Sequence, residues 1–472
     1  MKNQKKIKLA LTLLGLQLFL ACKISKDLSI ESASLPTTFR DNTTEDSISV
    51  AQMPWQSFFH YADLNTLISE ALAHNNDMQM AIKNIESSAL ALRQAKLGNI
   101  PNLSFQINGL TNRPSDNSLN GLTLDKFLQT KHIEDYTLGP VLSWEADLWG
   151  KIKNQKALAL ASYLQTQEAK KAVQTRIVSD ISKGFYNLLM LDAQLAIAKR
   201  NVQLTDSTLI IMKLQFNSGQ ITSLAIEQAQ AQKLSAEKLI PKFEQDISIQ
   251  ENAISVLSGR SPSLIIRTLN LETINIPDSL SVGIPSELLT RRPDIKISEL
   301  ALSSANANSA IAKAAMYPSF ILTAQGGLDA FKASNWFNIP GSLFVTALGS
   351  MTQPMFQQRK FRTQYEISLV KRQQSLIQFQ QSFLIAVGEV SNALVKMDKL
   401  KQQQRFIFDR TEALRQAIQN SKMLFGNGIA NYLEVITAQS NVLQSELELA
   451  AIKKDRLDAN VDLYRSVGGG WN

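Results

Sequence analysis

KLQFNSGQITSLAIEQAQ at residues 213–230 and KMLFGNGIANYLEVITAQ at residues 422–439 are one device written twice. At a shift of 209 positions Phe216, Gly219, Leu224, Ala229, Gln230, Leu234 and Glu237 recur as Phe425, Gly428, Leu433, Ala438, Gln439, Leu443 and Glu446. A repeat at fixed spacing marks a duplicated structural unit. Each copy is a short glycine turn between long tracts free of proline: none lies between Pro140 and Pro241, and none follows Pro354. Proline removes a helical hydrogen bond and glycine costs about 1 kcal/mol against alanine, so such tracts favour long helices. Each turn is therefore predicted to be the tip of a helical hairpin, with Gly219, Gly426 and Gly428 as turn residues.

Outward from the tips, the stripe Ile436, Ser440, Leu443, Leu447, Ala450, Lys454, Leu457, Val461 and Tyr464 steps by four and three. Phe361, Tyr365, Leu369, Leu376, Phe379, Phe383, Val390 and Met397 mark a similar stripe before the second turn. Narrow seams flanked by Gln, Lys and Ser suit coiled-coil-like packing with most of each helix wet. Arms of roughly 60 residues would span about 90–100 Å at 1.5 Å per residue. They are expected to project.

Ahead of each hairpin the pattern changes. Leu103, Phe105, Ile107 and Gly109 alternate with Ser104, Gln106 and Asn108, and Leu142, Trp144, Ala146 and Leu148 with Ser143, Glu145 and Asp147. Phe320, Leu322, Ala324 and Gly326 alternate with Thr323 and Gln325, and Leu343–Met351 is apolar. Period two predicts four strands in two hairpins. A second match, Leu72, Asp77, Ala95 and Pro101 with Leu289, Asp294, Ala312 and Pro318, has a shift of 217, so the first half carries a loop longer by eight, placed at Thr111–Asp135. The expected division is a signal at 1–21, a tether at 22–62, and repeats at 63–283 and 284–472.

A strand crossing an outer membrane needs about 9–11 tilted residues, a spanning sheet must close, and the smallest barrels have about eight strands. Four strands cannot close alone. Either several chains contribute, or the sheets pack as a soluble layer. Tyr136, Trp144, Trp149, Trp336, Phe337 and Phe356 near strand ends suit interface girdles, although ordinary core aromatics would look alike.

The formal charge is +8, but Lys2, Lys5, Lys6 and Lys8 precede an apolar run, Leu9–Ala21. That is a secretory signal, and the charge left after its removal is too small to indicate nucleic acid. Cys22, the single cysteine, follows at once in LFLAC. It is either a buried thiol or the acylated first residue of a bacterial lipoprotein, with covalent lipid its only prosthetic group. His60, His74 and His132 are scattered, no zinc spacing or phosphate loop is present, and SLVK at 368–371 lacks companion motifs, so neither enzyme activity, a metal site nor a cofactor is expected.

The lipobox cysteine, PWQSFF, LISEALAHNND, LSWEADLWGKIKN, RRPDIKISEL, AKAAMYPSF, the two tips and LYRSVGGGW together resemble the TolC-like outer-membrane efflux channels, in their lipoprotein branch. The resemblance implies an internally duplicated, mixed α and β membrane protein. It would be a homotrimer with a 12-stranded outer-membrane β-barrel, four strands per chain, and a long α-helical periplasmic barrel. It implies a passive exit duct for drugs, metals or other small molecules. The duct would be docked by a periplasmic adaptor and fed by an inner-membrane pump of the resistance-nodulation-division class or similar. A protein-secretion duct or a lipid-anchored coiled-coil spacer without a pore are the alternatives. By the same resemblance Leu433, Glu434 and Thr437 stand where relatives form the periplasmic gate; relatives often carry an acid at the position of Thr437. Read locally, Leu433 is a helix-start contact and Glu434 a solvated first-turn acid. The RRPD run, Arg291–Asp294, has a structural reading as a helix start.

Overall fold

The computed structural model describes residues 38–39 and 49–471, so the signal, Cys22 and most of the expected tether lie outside the described residues. In chain order the main elements are α1 (Ala62–His74), α2 (Asn76–Lys96), β1 (Asn102–Asn112), α3 (Leu119–Leu128), β2 (Ile133–Ala146), α4 (Lys151–Asn217), α5 (Ser223–Glu237) and α6 (Leu239–Leu257). After an extended linker come α7 (Pro293–Ala314), β3 (Ser319–Ala330), β4 (Leu343–Thr352), α8 (Lys360–Gly426) and α9 (Tyr432–Ser466). The described residues form two compact units, one around residues 86–164 and 300–377, the other around 49–85, 165–299 and 378–471.

The first unit holds one antiparallel sheet in the order β1-β2-β3-β4. Register explains its chemistry, because residues paired across an antiparallel sheet share a face. Leu103, Leu142, Ala324 and Ala347 form one row; Ile107, Leu138, Leu328 and Leu343 another; Trp144, Leu322 and Gly349 a third. These rows make one apolar face. The opposite face carries Ser104, Gln106, Asn108, Ser143, Thr323, Gln325, Thr346 and Ser350. The apolar face is not covered: every residue of β1 is exposed, as are Leu322 and Val345.

All four helical connections leave from one end of this sheet and both strand-to-strand loops from the other. Aromatics mark both ends. Trp336 lies between Tyr136 and Phe337, with centroids 5.4 and 5.2 Å away, at the loop end. Trp149 stacks on Tyr317 at 4.9 Å and donates to the Pro318 carbonyl at the helical end.

The strand expectation needs two corrections. β2 starts nine residues earlier than Leu142, at Ile133, and stops at Ala146; Asp147 leaves the sheet to accept hydrogen bonds from the Ile152 and Lys153 amides at the start of α4. The long loop 111–135 is also no simple loop, since it contains α3.

The second unit is helical. Its largest core joins Trp55, Phe59, Leu64, Ile68, Ile181, Phe185, Leu188, Leu457, Val461 and Tyr464. Trp55 and Phe59 fall within 22–62, so the end of the expected tether is core, as its aromatics require. The stripe on α9 is right at Leu443, Ala450, Leu457, Val461 and Tyr464, but Val435, Val442, Ile452, Ala459 and Leu463 are buried as well. α9 is packed on several sides, not along a single seam. The arms are also unequal: α4 and α8 have 67 residues each, whereas the returns are 15 plus 19 residues in α5 and α6 and 35 in α9. The return in the first hairpin breaks at Lys238 because Pro241, which has no amide hydrogen, sits in the opening turn of α6.

Within the RRPD run, Arg292 is a buried hub. Arg292 donates to Asp294 at 2.6 and 3.0 Å, to Glu389 at 2.7 Å and to the Ser466 carbonyl at 3.0 Å. Burial alone would raise the Asp294 carboxyl, but the Arg292 hydrogen bonds and charge hold it below the usual carboxylate range. The C-terminal glycines are packed, not frayed: a Cβ at Gly469 would overlap the Tyr464 ring, and Trp471 donates to the Arg291 carbonyl at 3.1 Å.

Candidate functional site

The two tips close by the same hydrogen bonds. At the first, the Gly219 amide donates to Phe216 and the Gln220 amide to Gln215, both at 2.9 Å. At the second, Gly428 donates to Phe425 at 3.1 Å and Ile429 to Leu424 at 2.9 Å. This is the Schellman pattern, in which the first residue beyond the cap must be left-handed. Gly219 at φ 77° and Gly428 at φ 72° supply it. Gly426 does not belong with them: it is the last residue of α8, equivalent to Asn217, and the turn begins after it.

Asn431 then starts α9, its side chain accepting from the Glu434 amide at 3.2 Å. Asn is a preferred cap because its short side chain reaches this otherwise orphaned donor. The equivalent Thr222 makes no such side-chain bond.

Capping sets which residues of the first turn face outward. Val435 is buried with Leu209, Met212, Ala225, Ala229 and Phe425, and Tyr432 and Ile436 pack against them, so the two tips share one core. One turn further, Gln439 is buried and donates to Thr208 at 2.7 Å. Leu433, Glu434 and Thr437 stay on the opposite, exposed face. Positions 433 and 437 are one turn apart and 434 lies beside them, so an apolar, an acidic and a hydroxyl side chain form one patch. Among the described residues Glu434 has no ion-pair partner.

The shared tip core was not anticipated from sequence. Its signals were Asn431 three residues before Glu434, a helix-start pattern, and Phe216 and Phe425 at matched positions. Among the described residues no cluster of His, Cys, Asp or Glu could hold a metal ion.

Comparison with known proteins places this architecture. The outer membrane efflux protein family matches residues 67–260 and 284–469. The chain belongs to that family. It is 26% identical over 461 residues to the cation efflux system protein CusC of Escherichia coli, covering 95% of this chain and 96% of that protein. It is 27% identical to the probable outer membrane lipoprotein SilC of Salmonella typhimurium, covering 88% of each, and 26% identical to the toluene efflux pump outer membrane protein TtgI of Pseudomonas putida, covering 90% and 89%. Among solved structures, one of CusC superposes with a TM-score of 0.83 at 26% identity, over 95% of this chain and 100% of that one. The open state of the Neisseria gonorrhoeae MtrE outer membrane channel shares the fold, with a TM-score of 0.82 at 22% identity over 95% and 98%. The resemblance expected from the motifs is borne out, and this is an outer-membrane efflux protein.

Proposed function

We propose that three copies of this chain close a 12-stranded barrel in the outer membrane and form the passive exit duct of a tripartite efflux pump. The observation that carries this is the sheet of the first unit. Its two edges, β1 and β4, are unpaired within the chain, and its apolar face is exposed along β1 and β4 and exposed to half-buried along β2 and β3. An open apolar sheet is a liability in water, and in lipid it is excluded unless its edges pair with another chain. Strands of 10–14 residues are long enough to cross. An even number of antiparallel strands also lets β1 of one copy run antiparallel to β4 of the next.

Cys22 is read as the lipid-bearing first residue of the mature chain, a reading supported by the lipoprotein name of the Salmonella relative. The two halves, 63–283 and 284–472, are read as duplicated repeats, supported by the same backbone hydrogen bonds and left-handed glycine at their tips. Partners would be a periplasmic adaptor and an inner-membrane pump. Relatives named for cations and for toluene are each 26% identical to this chain, so percentage identity favours neither substrate class.

The test is single-channel recording in planar bilayers with the purified chain, together with cysteine pairs scanned along β1 and β4. Discrete conductance steps and a covalent trimer are expected. A protein that gives no conductance and no β1-to-β4 crosslink in any pair would be a spacer, not a duct.

A further inference from the structure

We infer that the corner leaving β4, residues 354–362, is a seat for anionic phospholipid at the helical end of the barrel. The inference rests on the membrane placement proposed above. Residues 354–362, with Met316, line a groove of about 430 Å³. Its chemistry is two-sided. Phe356 is 95% exposed and Met355 81% exposed, side by side on the loop. Arg359, Lys360 and Arg362 follow within six residues, and no acidic residue lines the groove.

These cations are poorly compensated. Arg359 and Arg362 share one carboxylate, Glu366, at 3.4 and 3.1 Å, with both guanidinium side chains about two-thirds exposed. Lys360 has no ion pair among the described residues. α8 has no acidic residue in its first turn, so the cations sit unfavourably at the positive end of the helix. The backbone adds a second cost. Gln358 at φ 52° and Arg359 at φ 62° are both left-handed, where a non-glycine residue is disfavoured by about 1–2 kcal/mol. The matching corner after β2 solves its turn differently, with Gly150 at φ 72° and Lys151 paired to Glu145 at 2.9 Å.

Position selects the occupant. Phe356 lies four residues past the end of β4, at the same end of the sheet as the Trp149–Tyr317 stack. A side chain there is at headgroup depth if the sheet spans the bilayer, with the aromatic reaching acyl chains and the basic groups reaching phosphates. An exposed aromatic beside three cations with one carboxylate among them is complementary to a lipid with an acidic headgroup.

The test compares wild-type full-length protein with the triple variant R359Q/K360Q/R362Q, with R359K/R362K and with F356S. Retention of phosphatidylglycerol against phosphatidylcholine is measured by native mass spectrometry from detergent, and single-channel conductance is recorded for each. Wild type should prefer phosphatidylglycerol. Each basic residue lost should lower the preference about fivefold, the change that corresponds to about 1 kcal/mol per basic group at an anionic surface. The lysine variant should keep the preference, and F356S should weaken retention of both lipids alike. Equal retention of the two lipids by wild type, or an unchanged preference in the triple variant, overturns the inference. So does a triple variant that loses its oligomeric state while keeping its lipid preference, because the corner is then covered by a neighbouring copy. Absence of conductance from wild type would instead count against the duct, a separate readout.

Discussion

At the scale of the residue, the two glycines beside the second tip make opposite demands on the chain. Gly428 is left-handed at φ 72°, while Gly426 is helical, and a Cβ at either would meet nothing within 4 Å. Sterics with neighbours are therefore equal, and backbone conformation alone sets the sign. Gly428→Ala should destabilise by about 1 kcal/mol, because alanine is disfavoured in the left-handed region. Gly426→Ala should stabilise by about 0.5–1 kcal/mol, through helix propensity and a less flexible unfolded chain. Hydrogen exchange of amides near the tip can report both changes: faster for Gly428→Ala, slower for Gly426→Ala. Equal and same-signed shifts would mean that the turn is not the Schellman pattern described. The sequence shows that a glycine turn exists here, but it cannot separate the two glycines. Only the hydrogen bonds that place Gly428 beyond the cap do so.

At the scale of the element, β2 and β3 approach each other so closely at one point that neither tolerates a side chain there. A Cβ at Gly139 would overlap the Gly326 carbonyl, and one at Gly327 would overlap the Leu138 carbonyl. Pro140 stands beside this pinch, and the ladder between Leu138–Leu328 and Val141–Gln325 is unbridged there. A missing amide interrupts the pairing, and two facing glycines let the backbones approach closely, one use of glycine in strands. Gly327→Ala should force the strands apart. The expected outcome is loss of the heat-resistant assembled species on gels, with the helical circular-dichroism signal of the second unit retained. An assembly with wild-type heat resistance would show that the sheet can flex to accept the methyl group. Alternation made the strands legible in sequence because it follows directly from the pleat. The start of β2 was not legible, since Ile133–Gly139 mixes Glu, Asp and Thr among its apolar residues. Nor was α3, whose residues LNGLTLDKFL carry a glycine and little amphipathic contrast. The multi-sided burial of α9 was hidden for another reason: small or polar residues such as Ser445, Ala459 and Asn460 are buried without marking a hydrophobic stripe.

At the scale of the whole molecule, the exposed patch of Leu433, Glu434 and Thr437 acquires meaning only if several tips face a common axis. One solvated glutamate at a helix start contributes a few tenths of a kcal/mol to its own helix. Three around a narrow opening act together: each pair repels by about 0.5 kcal/mol at roughly 8 Å in bulk water, and more where the opening excludes water. Such a ring favours cations and resists closure, and the neighbouring Leu433 side chains supply an apolar contact that opposes the repulsion. Glu434→Gln should therefore lower the cation-over-anion permeability ratio several-fold, and Thr437→Glu should raise it by adding a second acidic ring one turn along. The Asn431 cap and the buried Val435 and Gln439 hold the helix start in place in both variants, so the change is one of charge. Reversal potentials measured under a potassium chloride gradient in planar bilayers separate the possibilities. If both variants reverse where the wild type does, while the channel still conducts, the patch lines no constriction and Glu434 is only the first-turn acid of α9.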